Sequence, residues 1–219
     1  MFAYCSNNPV MFVDPTGHIS ILIIAAVLLF TPVGGTSLQI VSSTGCYAGM
    51  AVASIFNENV RNDMDAIGWN PFNTDEEKVL ESSVVSYYKG VPVFRTNMER
   101  SGSFGAIFLS RGCYNENGEF IRENDPNTLK HERGHNWQLM MMGIATYGLT
   151  VAIPSAAKFG KWAKAGRYYD APWETIADAL GGVTERNGKV ISQELINSAW
   201  AYYCVSMINF PLAAINWIP

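Results

Sequence analysis

Two imidazoles four residues apart, with a carboxylate between them, are the densest chemistry in this sequence: His131-Glu132-Arg133-Gly134-His135. In a helix, side chains at i and i+4 leave one face about one turn apart, so both rings can reach a single metal ion. Glu132 follows His131 directly and is turned partly off that face, beside the ion rather than on it. From there it can take a proton from a water that zinc acidifies toward a pKa of ~7. These are two of only three histidines in the chain, and the third, His18, lies on a distant turn-rich arm where it makes a poor further ligand.

A catalytic zinc usually takes three protein ligands and keeps one position open. Downstream, Asp170-Ala171-Pro172 reads as a helix start and Gly181-Gly182 as its end, enclosing residues 173–180. Glu174 and Asp178 share one face of that helix. Glu174 is the candidate third metal ligand, and Asp178 would hold the outer nitrogen of a ligand histidine and fix its tautomer. Asp178 or Asp170 in the ligand role are the alternatives. Peptide hydrolysis also needs a group that stabilises an oxyanion, and Arg167, Tyr168 and Tyr169 immediately precede the ligand helix. Tyr169 is the candidate taken forward.

The elements that must position these groups are legible in part. Asp125-Pro126-Asn127-Thr128 supplies turn and cap residues, so the motif helix should run from Thr128 to Met142, ahead of Gly143. The methionines at 140–142 and the apolar run 144–153 read as its buried continuation and return. Before it, residues 84–88, 91–95 and 104–109 read as strands, divided by Lys89-Gly90 and Arg100-Ser101-Gly102. Pro92 should keep the middle strand at an edge or irregular. The 104–109 strand could offer an edge to which an extended peptide adds. Thr74 with Glu77 is a capping-box pattern opening a short helix through Ser82, and residues 57–65 read as a polar link. Residues 113–125 read as a polar loop. Ser192 should start a last helix through Ser198 and the aromatic run 200–203, interrupted at Asn209-Phe210-Pro211.

Residues 19–30 are almost uninterrupted aliphatic sequence, ended by Thr31-Pro32. A helix of that length rises about 18 Å, short of the roughly 30 Å hydrocarbon core, so it should not span a bilayer alone. The preceding arm has no Lys or Arg, so the charged start of a signal peptide is missing. Residues 38–56 form a second apolar stretch, with Gly45, Gly49 and Ala53 as a small-residue stripe. Together they make an apolar helical hairpin, either entering a membrane during delivery or packed on the catalytic part.

The 219-residue chain is 48% apolar and 16% charged, a globular composition with room for such a hairpin. Its net charge of -4 and pI near 5.4 provide no basic field for phosphates, which argues against nucleic acid as a partner. The four cysteines, Cys5, Cys46, Cys113 and Cys204, are scattered and form no C-x-x-C pair, which disfavours a thiolate metal site.

Two resemblances add to this reading. Tyr4, Asn7, Asn8, Pro9, Val10, Val13, Asp14, Pro15 and Gly17 resemble the end of the RHS repeat-associated core, the shell-forming module of polymorphic toxins. The resemblance implies a variable toxin domain downstream, an RHS shell upstream, a cognate immunity protein, and delivery into a target cell as a secreted effector. It also implies that the chain could be cut just beyond the D-P-x-G element near Asp14. The second resemblance is to the gluzincin branch of zinc metallopeptidases, carried by H-E-x-x-H followed by E-x-x-x-D. It implies His131, His135 and Glu174 as zinc ligands, Glu132 as the base and Asp178 as partner of a ligand histidine. Gln138, Gly143, Tyr147, Pro154-Ser155, Tyr168-Tyr169, Trp173-Glu174, Ala177-Asp178 and Gly181-Gly182 further resemble small bacterial HExxH domains attached to RHS-type toxins.

The expected fold is α+β and zincin-like: a small antiparallel or mixed sheet before an active-site helix, a mainly helical C-terminal part and an N-terminal apolar hairpin. The expected division is residues 1–18 as the end of the RHS-associated core, 19–56 as the apolar segment and 57–219 as the toxin domain. The expected function is zinc-dependent hydrolysis of a protein or peptide substrate. The alternatives are a membrane-inserting toxin whose metal site is structural or serves maturation, and self-processing of the shell junction.

Overall fold

The computed structural model describes residues 18–72, 85–114, 127–157, 168–186 and 188–208. The RHS-like residues 4–17, the capping-box helix expected at 74–82, Arg167, and most of the 113–125 loop lie outside them.

The first elements are the apolar helices α1 (His18–Phe30) and α2 (Pro32–Phe56). No Asp, Glu, Lys or Arg occurs in residues 18–56, so helix formation there rests on aliphatic sequence rather than ion pairs, and much of that surface is exposed, Ile23, Ile24 and Phe30 included. Between the two helices Thr31 is extended (φ -122°, ψ 161°) and Pro32 starts α2, where its missing N–H costs nothing. Helix α2 lies against the motif helix, so closely that a Cβ at Gly35 would stand 1.9 Å from the Leu139 carbonyl oxygen. Its other side is open: Val41, Val52, Ile55 and Phe56 are exposed. Gly45 and Gly49 have nothing within 4 Å of an added Cβ, so of the stripe read from the sequence only Ala53 is at a contact among the described residues, packed against the cluster that holds Val60 and Met64. Among the described residues, α2 is the one helix long and apolar enough, by length and composition, to cross a membrane.

The expected polar link at 57–65 is a helix, α3 (Glu58–Ala66). Asn57 caps it by accepting from the Asn59 and Val60 backbone N–H groups. Val60, Met64 and Ile67, at i, i+4 and i+7, pack with Met50 and Tyr87 in one of three small cores.

A four-stranded mixed sheet follows, in the order β1-β2-β4-β3. Strands β1 (Val85–Tyr88) and β2 (Val91–Arg95) form an antiparallel hairpin, with Tyr88 opposite Val91. Lys89 and Gly90 both have positive φ (48° and 83°), the two-residue turn that matches strand twist. Strand β4 (Ile107–Leu109) runs parallel to β2, and β3 (Gly102–Ser103) antiparallel to β4.

Two expectations fail here. β2 is interior despite Pro92. In a two-residue hairpin the first pair, Tyr88 and Val91, shares the hydrogen bonds, so the next residue's N–H points away from β1. Pairing with β4 starts only at Val93, so Pro92 removes no ladder bond. The expected 104–109 strand is instead a turn followed by β4. Gly105 (φ 72°) bends the chain and the Phe104 N–H bonds the Ala106 carbonyl, so the sheet edge is β3 and β4 is covered on both sides.

The motif helix α4 spans Thr128–Met142, as its cap signals predict. Gly143 (φ 81°) ends it, and the chain leaves through α5 (Ile144–Tyr147), a π-helical turn (Gly148–Ala152) and α6 (Ile153–Ala157). A 3-10 turn (Tyr168–Asp170) precedes the ligand helix α7 (Pro172–Gly181), which Gly182 closes at φ 79°. The short hairpin β5 (Glu185–Arg186) and β6 (Lys189–Val190) leads to α8 (Gln193–Ile208). Leu139, Met142, Tyr147, Val151, Trp173 and Ile176 bury one another where α4, α5 and α7 meet. The result is a mainly helical α/β fold with a small mixed sheet ahead of the motif helix.

Candidate metal centre

Helices α4 and α7 cross at backbone contact. A Cβ on Gly134 would lie 1.8 Å from the Ala177 carbonyl oxygen, and one on Gly181 would lie 1.9 Å from that of Lys130. Only glycine permits that approach, and it brings the face of α7 carrying Glu174 onto the face of α4 carrying both histidines. His131, Glu132, His135, Glu174 and Asp178 are all buried, between 1% and 6% exposed.

Three donor atoms converge there. Glu174 Oε2 is 3.0 Å from His131 Nε2 and 3.5 Å from His135 Nε2. The ligand atoms of His131, His135 and Glu174 all lie within 4.8 Å of one another, close enough to hold one metal ion. Of the alternatives left open by the sequence, Asp170 does not join this group. Asp178 is placed on the outer nitrogen of His131, as expected.

Each of the three residues is held from behind. His131 Nδ1–H donates to Asp178 Oδ1 (2.7 Å), and Asp178 is gripped through both oxygens by the Arg186 guanidinium, at 2.7–3.1 Å. His135 Nδ1–H donates to Gln138 Oε1 (2.7 Å), whose Nε2 donates to the Trp173 carbonyl (2.8 Å). That second bond fixes which way round the amide lies, and therefore which tautomer His135 adopts. The Tyr168 hydroxyl donates to Glu174 Oε1 (2.7 Å). Both histidines thereby turn Nε2 toward Glu174, the nitrogen each would offer to a metal ion.

The ionisation states follow from this packing. Burial alone would lower the His131 pKa, but its bonds to Asp178 and Glu174 overcome that and raise it to about 10. Burial would raise the Glu174 carboxyl, yet the two histidines hold it well below the usual range. Glu132 goes the other way, raised chiefly by desolvation, with His131 and His135 opposing. Its Oε2 is buried with no hydrogen-bond partner among the described residues. A buried carboxylate oxygen is rarely left unpaired without a ligand or water to meet it.

A cavity of about 510 Å³ opens onto the donor atoms. Glu132, Gly102 and Ser103 of the edge strand, Tyr168, Tyr169 and Arg186 all line it. Tyr147 closes one end by donating to the Ser103 carbonyl. Of the two tyrosines expected to meet an oxyanion, Tyr168 has its hydroxyl committed to Glu174. Tyr169 is exposed, with its ring under the Arg186 guanidinium at 4.9 Å.

Sequence reasoning named His131, Glu132, His135, Glu174 and Asp178, and the structure brings all five together. It missed Gln138 as the partner of His135, although one helical turn separates them and the spacing alone could have raised it. It also missed Arg186 behind Asp178 and gave Tyr168 another role. No family model, curated protein or solved structure matches the chain.

Proposed function

We propose that this chain is a zinc-dependent hydrolase of zincin-like fold, and within that class a metallopeptidase acting as the toxin domain behind an RHS-associated core. The observation that carries hydrolysis is the convergence of His131 Nε2, His135 Nε2 and Glu174 Oε2 next to the unpaired Glu132 Oε2. Zinc suits two imidazoles and one carboxylate with a cavity on the remaining side. Ligands about 2.05 Å from a tetrahedral zinc stand about 3.3 Å apart, and the 3.0 and 3.5 Å separations here bracket that edge. When bound, zinc would supply Lewis acidity toward a carbonyl and toward an attacking water.

The chain's own groups supply the rest. Glu132 takes a proton from the attacking water and returns it to the departing amine, a task helped by a carboxyl whose pKa burial has raised. Asp178 and Gln138 keep the imidazoles in their ligating tautomers. The Gly102–Ser103 edge beside the cavity supports an extended peptide as substrate, and Tyr169 at the rim is the group offered to a developing oxyanion.

Toxin function, an upstream RHS shell, an immunity partner and delivery into a target cell rest on the resemblance at residues 4–17. The test is the purified chain with zinc on an unstructured protein substrate. Wild type should hold one zinc and generate new amino termini, while Glu132→Ala should hold zinc and cut nothing. Absence of stoichiometric zinc in wild type, or full toxicity of Glu132→Ala, sinks the reading.

The exposed apolar side of α2, within the uncharged stretch 18–56, favours one second reading, a membrane-inserting toxin. Dye release from protein-free liposomes that survives Glu132→Ala would support it. Hydrolysis without leakage would favour the enzyme.

A further inference from the structure

Resting on the zinc-site reading, we infer that Tyr168 fixes how Glu174 binds the ion: through Oε2 alone, with Oε1 held out of reach by the tyrosine hydroxyl. A carboxylate can meet zinc through one oxygen or chelate through both, and a chelating carboxylate occupies two positions. With His131, His135 and one open position for water, chelation would add a fifth ligand atom and crowd the side that substrate needs.

The structure separates the two oxygens of Glu174. Oε2 faces the histidine nitrogens at 3.0 and 3.5 Å. Oε1 accepts from the Tyr168 hydroxyl at 2.7 Å. That hydroxyl lies 3.0 Å from the Ser155 carbonyl and 2.7 Å from Ser155 Oγ. A phenol has one proton, and here three acceptors face it, the Ser155 carbonyl, Ser155 Oγ and Glu174 Oε1. Only the carboxylate is charged, and it is as near as either of the others, so the proton goes to Glu174. Ser155 Oγ–H then donates to the phenol oxygen, and a directed chain runs from α6 through Tyr168 to the ligand. Glu174 is 1% exposed on a helix locked to α4 at Gly134 and Gly181, so the carboxylate cannot swing away from the tyrosine.

Tyr168 is therefore a positioning residue: it acts on the ion through Glu174. A tyrosine that merely packed would, on removal, weaken metal binding in proportion to lost order. A tyrosine that restrains one oxygen would, on removal, release that oxygen to the metal.

The experiment replaces zinc by cobalt(II) in the full chain and compares wild type, Tyr168→Phe and Ser155→Ala. The readouts are the visible absorption of bound cobalt and its affinity in competition with a chelator. Wild type should give the intense band of a four-coordinate ion. Tyr168→Phe should lose that intensity severalfold as a fifth ligand atom enters, hold cobalt at least as tightly, and lose turnover with zinc. Ser155→Ala keeps the ring in place and should shift the band the same way to a smaller extent, which decides the matter if the phenylalanine variant fails to fold. Cobalt bound by all three with identical spectra, or a Tyr168→Phe site that is four-coordinate and simply weaker, overturns this inference and leaves the metal site standing. Failure of wild type to bind cobalt or zinc overturns both.

Discussion

Replacing Gly134 by alanine adds one methyl group, and its cost can be worked from the crossing of α4 and α7. The new Cβ would stand 1.8 Å from the Ala177 carbonyl oxygen, with Ala177 C at 2.6 Å and Cα at 2.9 Å. All three are backbone atoms, so no side chain can rotate to make room. Contacts to Cβ below 3.0 Å essentially do not occur, so the helices must part by at least 3.0 − 1.8 = 1.2 Å. Helix α7 carries Glu174 and Asp178 with it. A parting of that size takes Glu174 Oε2 from 3.0 Å to as much as about 4.2 Å from His131 Nε2, well beyond the ~3.3 Å edge of a zinc tetrahedron. Over-packing against a rigid neighbour costs about 1–3 kcal/mol, and displacing ligand geometry costs metal affinity of order 10–100-fold or more. Zinc affinity is read by chelator competition, and stability by denaturant unfolding of the metal-free protein. Gly181→Ala, at the other contact with 1.9 Å to the Lys130 oxygen, should behave alike. Gly148→Ala, which meets nothing within 4 Å, should bind zinc as wild type does. A Gly134→Ala protein with wild-type zinc affinity and unfolding midpoint would refute the claim that the glycine contact sets the site.

Three further outcomes separate the roles of the surrounding groups. Glu132→Gln should retain one zinc while hydrolysis falls by about 10²–10⁴, measured as kcat on a peptide substrate; loss of zinc together with activity would make Glu132 a ligand instead. Asp178→Ala leaves the largely buried Arg186 guanidinium without its carboxylate, and should cost about 3–5 kcal/mol in unfolding free energy as well as metal affinity. Gln138→Ala removes a neutral partner of His135 and should cost about 10–100-fold in zinc affinity with a smaller loss of stability, so equal destabilisation by the two variants would contradict the charge assignment.

How far the sequence reached depends on which interactions are local. The motif helix and its Gly143 stop were readable because turn and stop residues act within a few residues, although Asn127 makes no side-chain cap bond, and two histidines at i and i+4 share a face in any α-helix. Glu174 and Asp178 were readable because Pro172 and Gly182 frame their helix. Arg186 and Tyr168 were not. One reaches Asp178 from a hairpin and the other reaches Glu174 from a turn, and only tertiary packing decides where those arrive. Gly134 did carry a local signal: glycine inside a helix costs about 1 kcal/mol relative to alanine, so its presence asks for a packing reason. The polar run at 57–65 hid a helix because its apolar contacts, Val60, Met64 and Ile67, are few, and the Asn57 cap was passed over. Pro92 was misjudged because a proline's effect in a sheet depends on hairpin parity, which residue type does not reveal.

The outer partners also bear on what the site does without a metal. His131 faces two carboxylates, and its pKa of about 10 means that in the metal-free protein a proton bridges His131 and Glu174 where an ion would otherwise lie. The proton thus acts as a placeholder: the folded-state pKa lies above the ordinary 6.5, so this contribution to stability is fully present below about pH 6.5 and fades as pH rises toward 10. Chelation at pH 7 should therefore leave the fold intact, unlike small domains in which zinc is the core. Zinc must displace the placeholder. Between about pH 7 and 9 binding should release about one proton from His131, and apparent affinity should rise about tenfold per pH unit. Calorimetry in buffers of different ionisation enthalpy counts that proton directly. A pH-independent affinity with no proton released would mean that His131 is already neutral in the free protein, and that the Asp178 and Glu174 carboxylates do not hold it charged.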